Sequence, residues 1–305
     1  MLNTLLTDYT FQTVALGAAL LGLVSGVLGS FAVLRRQSLL GDGVSHAALP
    51  GVVAAFLMTG SKNTETLLAG ALATGLLGTL LITAITRRSR VKFDSALAIV
   101  MSVFFGGGLV LLTLSQRIPN ANQAGLNRFI YGQASALLQR DVVLMVICGV
   151  VLLSVILLFW KEFKLLCFDP QYATTLGRST GFWSLLLSFL TVLAIIIGLQ
   201  TVGVVLMSAM LITPAVAARL WCRQLWSMVT LSAVFGAVSG VIGTAASSLI
   251  SQLPTGPTIV ICVSAIALVS LFIAPGRGIL ARALNRSRGR ARLVMERRDG
   301  HGPID

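Results

Sequence analysis

The sequence predicts an all-α fold, a polytopic bundle of about nine transmembrane helices, on three observations. The 305 residues are 56% hydrophobic and 11% charged, whereas an ordinary soluble domain carries about 25% charged residues. Continuous apolar runs recur along the chain, each long enough to cross a hydrocarbon core about 30 Å thick. Lys and Arg fall in short clusters between those runs. The runs do not alternate apolar with polar residues as barrel strands do. The 30 glycines suit close helix packing in lipid, where small residues let backbones approach.

Taken in order, the predicted spans cover 12–34, 43–60, 66–86, 94–115, 141–160, 180–198, 201–218, 226–249 and 257–274. Met1–Gln12 is polar and lacks the basic stretch of a secretory signal. Asp94 and Asp141 open the fourth and fifth spans, where a carboxylate complements the helix dipole. Residues 116–140 leave room for a re-entrant or interfacial helix. Lys161–Gly177 is too polar to span. Gln200 marks a very short link, so the sixth and seventh spans read as a tight antiparallel pair. Ser251–Pro257 (SQLPTGP) reads as a Pro/Gly turn before the last span. Residues 1–276 thus form the membrane domain. Residues 277–305 form a basic tail, partly disordered, whose plain role is a topology anchor near anionic headgroups. His301 lies in that tail.

The basic residues orient the bundle. With the N-terminus outside, 19 of the 23 Lys and Arg fall on the cytosolic side, leaving Lys62, Arg117, Arg128 and Arg140 outside. The positive-inside rule therefore puts the C-terminus in the cytosol and favours an odd number of spans. The same scatter argues against nucleic acid as the partner of the +13 net charge, because the bases do not gather on one face. Cys148, Cys167, Cys222 and Cys262 stand singly, without a CxxC pair, and read as small buried hydrophobes.

Few residues carry chemistry. The chain has ten acidic residues, most of them in loops. Ionisable groups gather inside one apolar span only, at Gly41-Asp42-Gly43-Val44-Ser45-His46. Asp42 and His46 are four apart, hence one turn apart on one helix face. A carboxylate with an imidazole suits manganese, iron or zinc. One chain supplies too few ligands, whereas two chains facing across a pore supply two Asp and two His on a two-fold axis. The plainer alternative is that Asp42 caps the second span and His46 makes a packing hydrogen bond.

Two other segments stand out. Phe168-Asp169-Pro170 followed by Gln171–Leu176 and Gly177 reads as Asp cap, Pro at the first helical position, short helix and Gly stop. Such a helix is either a docking element for a soluble partner or a connector on the headgroups. Val202–Ala218 carries Ser208, Thr213 and Pro214 in an apolar run, as a pore-lining or gating helix or as a packing helix. No GxxxxGK[ST], HExxH or Ser/His/Asp set occurs.

Several of these segments together resemble one family. Arg35–Gly51 (RRQSLLGDGVSHAALPG) and Val202–Ala217, with Leu206, Ser208, Ala209, Leu211 and Pro214, are similar to signatures of the permease subunits of bacterial manganese/zinc/iron ABC importers, the ABC-3 family. Phe168-Asp169-Pro170, Ala173 and Gly177 resemble that family's cytosolic coupling element, and Pro254–Pro257 its turn before the last span. The likeness runs from about residue 12 to 275.

It implies a fold similar to vitamin B12 and siderophore importer permeases, in the bacterial cytoplasmic membrane. It implies a second permease subunit, identical or paralogous, two ATP-binding cassette subunits, and an extracytoplasmic metal-binding protein. On that reading the chain is a transport subunit and not an enzyme. It has no cofactor of its own, and ATP is bound by the partner subunits. A divalent metal passes Asp42 and His46, with Ser45, Ser208, Thr213 and Pro214 as candidate pore or gate positions. SHAALPG points to manganese ahead of iron or zinc. An ion-gradient-driven transporter is the alternative, and it requires membrane carboxylates that are scarce here.

Overall fold

The computed structural model of the chain describes residues 9–60, 63–115, 139–249, 253–275 and 278–280. The described residues form eleven α-helices and no strand. These are α1 (Tyr9–Leu34), α2 (Leu40–Thr59), α3 (Thr64–Arg88), α4 (Phe93–Ser115), α5 (Gln139–Leu158), α6 (Trp160–Phe168), α7 (Pro170–Thr175), α8 (Thr180–Val202), α9 (Val204–Trp221), α10 (Leu225–Leu249) and α11 (Thr255–Ile273). Eight of them, α1 to α5, α8, α10 and α11, are long and apolar enough to cross a bilayer. The seventh predicted span is α9, whose apolar stretch Met207–Trp221 is shorter. The proposed helix within 116–140 lies almost wholly outside the described residues, as do the tail and its boundary at residue 276.

The helix signals hold locally. Asp94 and Asp141 lie in the first turns of α4 and α5. The Ser251–Pro257 turn is shorter than the sequence suggests. Pro254 is already the N-cap of α11, and Pro257 sits in its first turn, where a missing N–H removes no helical bond. The link between α8 and α9 also moves. Gln200 belongs to the last turn of α8, and the break is at Gly203. There φ is 87° and ψ is 168°, a conformation a side chain disfavours. The Gly203 N–H closes α8 on the Leu199 carbonyl, and its own carbonyl accepts from Met207 N to open α9.

α1 is the axis of the bundle, with 78% of its apolar window buried, against 17% for α4. It lies against α10 at backbone distance. A Cβ on Gly22 would collide with the Gly236 carbonyl, and one on Gly26 with the Ser232 carbonyl. The Ser232 hydroxyl donates to the Gly26 carbonyl at 2.7 Å across the same crossing. Lipid tails are as apolar as leucine, so helices here associate through close packing and such interhelical bonds. On the other side, α1 meets α9, where a Cβ on Gly29 would strike the Leu211 carbonyl.

One end of the bundle is aromatic and basic. Phe31 of α1 meets Trp160 and Phe163 of α6, Phe163 meets Trp183 at the start of α8, and Trp160 meets Trp226 at the start of α10. Arg35 donates to the Ser184 hydroxyl, and the Arg87 guanidinium lies over Gly181. The start of α8 and the turn joining α9 to α10 therefore share one end, so α8 and α9 reverse at Gly203. At the opposite end Arg140 of α5 pairs with Glu65 of α3.

Gly236→Leu is expected to force α1 and α10 apart. Overpacking of this kind costs about 1–3 kcal/mol or more, to be read as a lower melting temperature of the purified protein.

Candidate functional site

The site is built on α2. From Leu40 to Val53 every residue of this helix is buried except Asp42, His46 and Pro50, which recur at intervals of four. They make one narrow open strip along an otherwise enclosed helix. The enclosure comes from small residues. A Cβ on Gly51 would run into the Gly70 carbonyl of α3, one on Gly43 would press on Leu97 of α4 at 2.9 Å, and one on Gly41 would touch Leu211 of α9 at 3.0 Å.

Asp42 does not cap the helix. The N-cap is Leu39, which offers no side-chain bond, and Asp42 sits inside the first turn. Its Oδ1 lies 3.5 Å from His46 Nε2. His46 makes no packing hydrogen bond either, because its buried Nδ1 finds no partner among the described residues. The imidazole is held by an edge contact with the Phe105 ring, 4.7 Å between centroids and 78° between planes. Phe105 lies near the middle of α4 (Phe93–Ser115), so the imidazole sits at mid-span depth.

Two donor atoms each about 2.1 Å from one metal ion stand roughly 3.0–3.5 Å apart. The Asp42–His46 pair already has that separation. With a carboxylate side-chain exposure of 38% and 20% for the imidazole, it opens from the strip rather than into the core. Among the described residues no group of three or more His, Cys, Asp or Glu gathers at one point. Among the described residues, one chain thus brings two such donors together here, fewer than a full coordination sphere.

The remaining predicted residues divide. Ser45 is fully buried and donates to the Gly41 carbonyl at 2.7 Å, so its hydroxyl turns away from the strip. Ser208 faces the start of α2, its Cα 3.4 Å from a Cβ built on Gly41. Thr213 is half-buried and Pro214 buried within α9. Pro214 has no N–H to offer the Met210 carbonyl one turn earlier.

The Phe168–Gly177 segment folds as its residues dictate. The Asp169 carboxylate accepts from Tyr172 N at 2.9 Å, and Pro170 opens α7. Gly177, with φ at 72°, ends it by the paired bonds of Gly177 N to the Thr174 carbonyl and Arg178 N to the Ala173 carbonyl. Ala173 is buried, while Phe168, Tyr172 and Leu176 are exposed. Arg178 folds back to pair with Glu162 of α6.

Sequence reasoning missed α6, because Lys161, Glu162 and Lys164 hide an amphipathic period whose buried positions are Phe163 and Leu166. At its end, burial pushes the Cys167 thiol up to about 11, with nearby Arg35 opposing. That thiol stays protonated and inert at neutral pH.

The description "ABC 3 transport family" matches residues 7–274. The chain is 50% identical over 287 residues to the zinc transport system membrane protein TroC of Treponema pallidum (strain Nichols), covering 94% of this chain and 96% of that one. It is 47% identical over 285 residues to the manganese transport system membrane protein MntC of Bacillus subtilis (strain 168), covering 93% of this chain and 66% of that one. Among solved structures it is similar to PsaBC from Streptococcus pneumoniae in complex with Fab, at a TM-score of 0.79 and 32% identity, covering 94% and 98% of the two chains.

Asp169→Ala is expected to lose about 1 kcal/mol of local stability at α7 by removing the cap. Gly177→Ala should cost a similar amount by straining the left-handed stop. Hydrogen exchange at Tyr172 and Ala173 reads both, and each variant should exchange several-fold faster than the parent.

Proposed function

The chain belongs to the ABC 3 transport family, and on that premise we propose how it works as the membrane-spanning permease of an importer of divalent transition metal ions. It is a transport component and not an enzyme. The finer reading is that manganese is the cargo, ahead of iron or zinc, and that Asp42 and His46 coordinate the ion in passage. The observation that carries it is the open strip of α2. On a helix otherwise sealed by its neighbours, a carboxylate in the first turn and an imidazole one turn further in face outwards at ligand separation.

The coordination sphere needs completion. A second permease subunit, identical or paralogous, packs across a two-fold axis against this strip and brings its own carboxylate and imidazole. The exposed face of α4 beside His46, with Phe105, Gly106 and Gly107, supplies a surface on which another helix can lie close. Four N and O donors with no sulfur suit manganese, iron and zinc alike. Relatives named for manganese and for zinc stand close to this chain, and the likeness of SHAALPG favours manganese.

The orientation follows from charge. The basic end of the bundle faces the cytosol, and Gly203 and the α10–α11 turn face outside, in the bacterial cytoplasmic membrane. On the cytosolic face two ATP-binding cassette subunits bind and hydrolyse ATP, and they grip the Phe168–Gly177 segment around α7 through exposed Phe168, Tyr172 and Leu176. Outside, a metal-binding protein delivers the ion. Closure of the ATPases pushes α7, and through α6 and α8 the push alters access to the strip. Ser208 of α9, against the start of α2, and Pro214, further along the same helix, act as the gate. Release requires weak binding, which a half-exposed pair provides.

Asp42→Ala and His46→Ala should each lower manganese uptake about tenfold or more, measured in cells expressing the cognate ATPase and binding protein, with membrane abundance unchanged. Full uptake at normal abundance would remove the coordination reading. Replacing Phe168 and Tyr172 by Ser should lower co-purification of the ATPase subunit by a similar factor, while undiminished capture would remove the docking role of α7.

A further inference from the structure

All four tryptophans of the chain, Trp160, Trp183, Trp221 and Trp226, lie at the same end of the bundle. Two of them line an open cleft of about 400 Å³ between α6 and the turn that joins α9 to α10. Its walls are Trp160, Lys164 and Phe168 on one side and Arg223, Gln224, Leu225 and Trp226 on the other. The two tryptophan rings meet edge to face at 5.1 Å across its floor.

The cleft is cationic and uncompensated. Lys164 and Arg223 are exposed, and among the described residues neither meets a carboxylate. Glu162, the acid on α6, is taken by Arg178. The cleft begins at Trp160, two residues past the end of α5, and includes Leu225 and Trp226 in the first turn of α10, so it lies where two membrane-length helices end. Above it the bundle turns an apolar side outwards. Leu157 and Leu158 end α5 exposed, and Trp226, Val234, Val238 and Val241 make an exposed stripe up α10.

We propose that this cleft holds the headgroup of an anionic phospholipid. Lys164 and Arg223 meet its phosphodiester, Trp160 and Trp226 lie at the glycerol level, and its acyl chains run along the α10 stripe. Tryptophan is enriched at this depth because its ring is apolar while its N–H is polar. Clustered bases beside a membrane span attract anionic headgroups. The lipid bridges α6 to the start of α10, and so steadies the base from which α7 projects. The inference rests on the chain spanning a membrane and is independent of the direction and identity of the cargo.

The test is native mass spectrometry of the full-length protein in detergent, with dioleoyl phosphatidylglycerol or dioleoyl phosphatidylcholine added at equal mole fraction. Micelles have no sides, so a failed topology does not disturb the reading. The expected result is selective retention of phosphatidylglycerol. Lys164→Gln with Arg223→Gln should weaken it roughly 30-fold, about fivefold per base, and Arg88→Gln should not. Tryptophan quenching by brominated phosphatidylglycerol, stronger than by brominated phosphatidylcholine and diminished in Trp226→Phe, gives a second readout without touching the charges. Equal retention of both lipids, or an unchanged double variant, overturns the proposal. Displacement of the lipid by millimolar inorganic phosphate would assign the cleft to a free anion instead. Loss of ATPase co-purification with phosphatidylglycerol retention intact would assign it to the partner subunit.

Discussion

The contact of α1 with α10 is the constraint on which the rest of the bundle depends. In lipid no hydrophobic force drives apolar helices together, so a stable crossing requires backbones near enough for dispersion and interhelical hydrogen bonds to outweigh helix–lipid contact. Gly26 against Ser232, Gly22 against Gly236 and Ala18 against Gly240 bring the two backbones to that distance, and the Ser232 hydroxyl bonds across it. α9 then docks on the far side of α1 through Gly29. With α1 enclosed from both sides, α2 is presented next to α9 and covered by α3 and α4.

The same device shapes the site. Gly41, Gly43 and Gly51 are each on the covered face of α2; the Gly70 carbonyl leaves no room for a Cβ at Gly51, and Leu211 and Leu97 press closely on Gly41 and Gly43. What is left over is a strip one residue wide. A helix packed this tightly on three sides has no room for two ionisable side chains, so Asp42 and His46 emerge where the packing stops. Burying an unpaired carboxylate within a membrane costs several kcal/mol. The strip is therefore both the least costly place for these residues and the place where an ion or a second subunit can reach them.

At the basic end, different physics applies. α6 and α7 are short, polar and held by caps, an ion pair and aromatic edges rather than by small-residue packing. Such elements are stabilised by about 1 kcal/mol per cap and are among the first to yield locally. The α1–α9–α10 core, by contrast, is held by backbones in close contact.

Much of this was legible in the residues alone. Apolar length and the rhythm of Lys and Arg determine that the chain spans a membrane many times, because side chains this apolar favour lipid and a helix satisfies every backbone N–H and C=O there. Asp169-Pro170 and Gly177 determine α7, because capping and left-handed stops are local matters. The four-residue spacing of Asp42 and His46 determines that they share a face. The sequence could not determine which face of α2 stays open, since that depends on where Gly70, Leu97 and Leu211 of three distant helices come to rest. For the same reason Ser45 reads as a pore residue in sequence, yet its hydroxyl is spent on the Gly41 carbonyl. The break at Gly203 rather than Gln200, and the meeting of Trp160 and Trp226 at one cationic cleft, were likewise decided by tertiary packing. Periodicity reports what a helix can bury, and only its neighbours determine what it does bury.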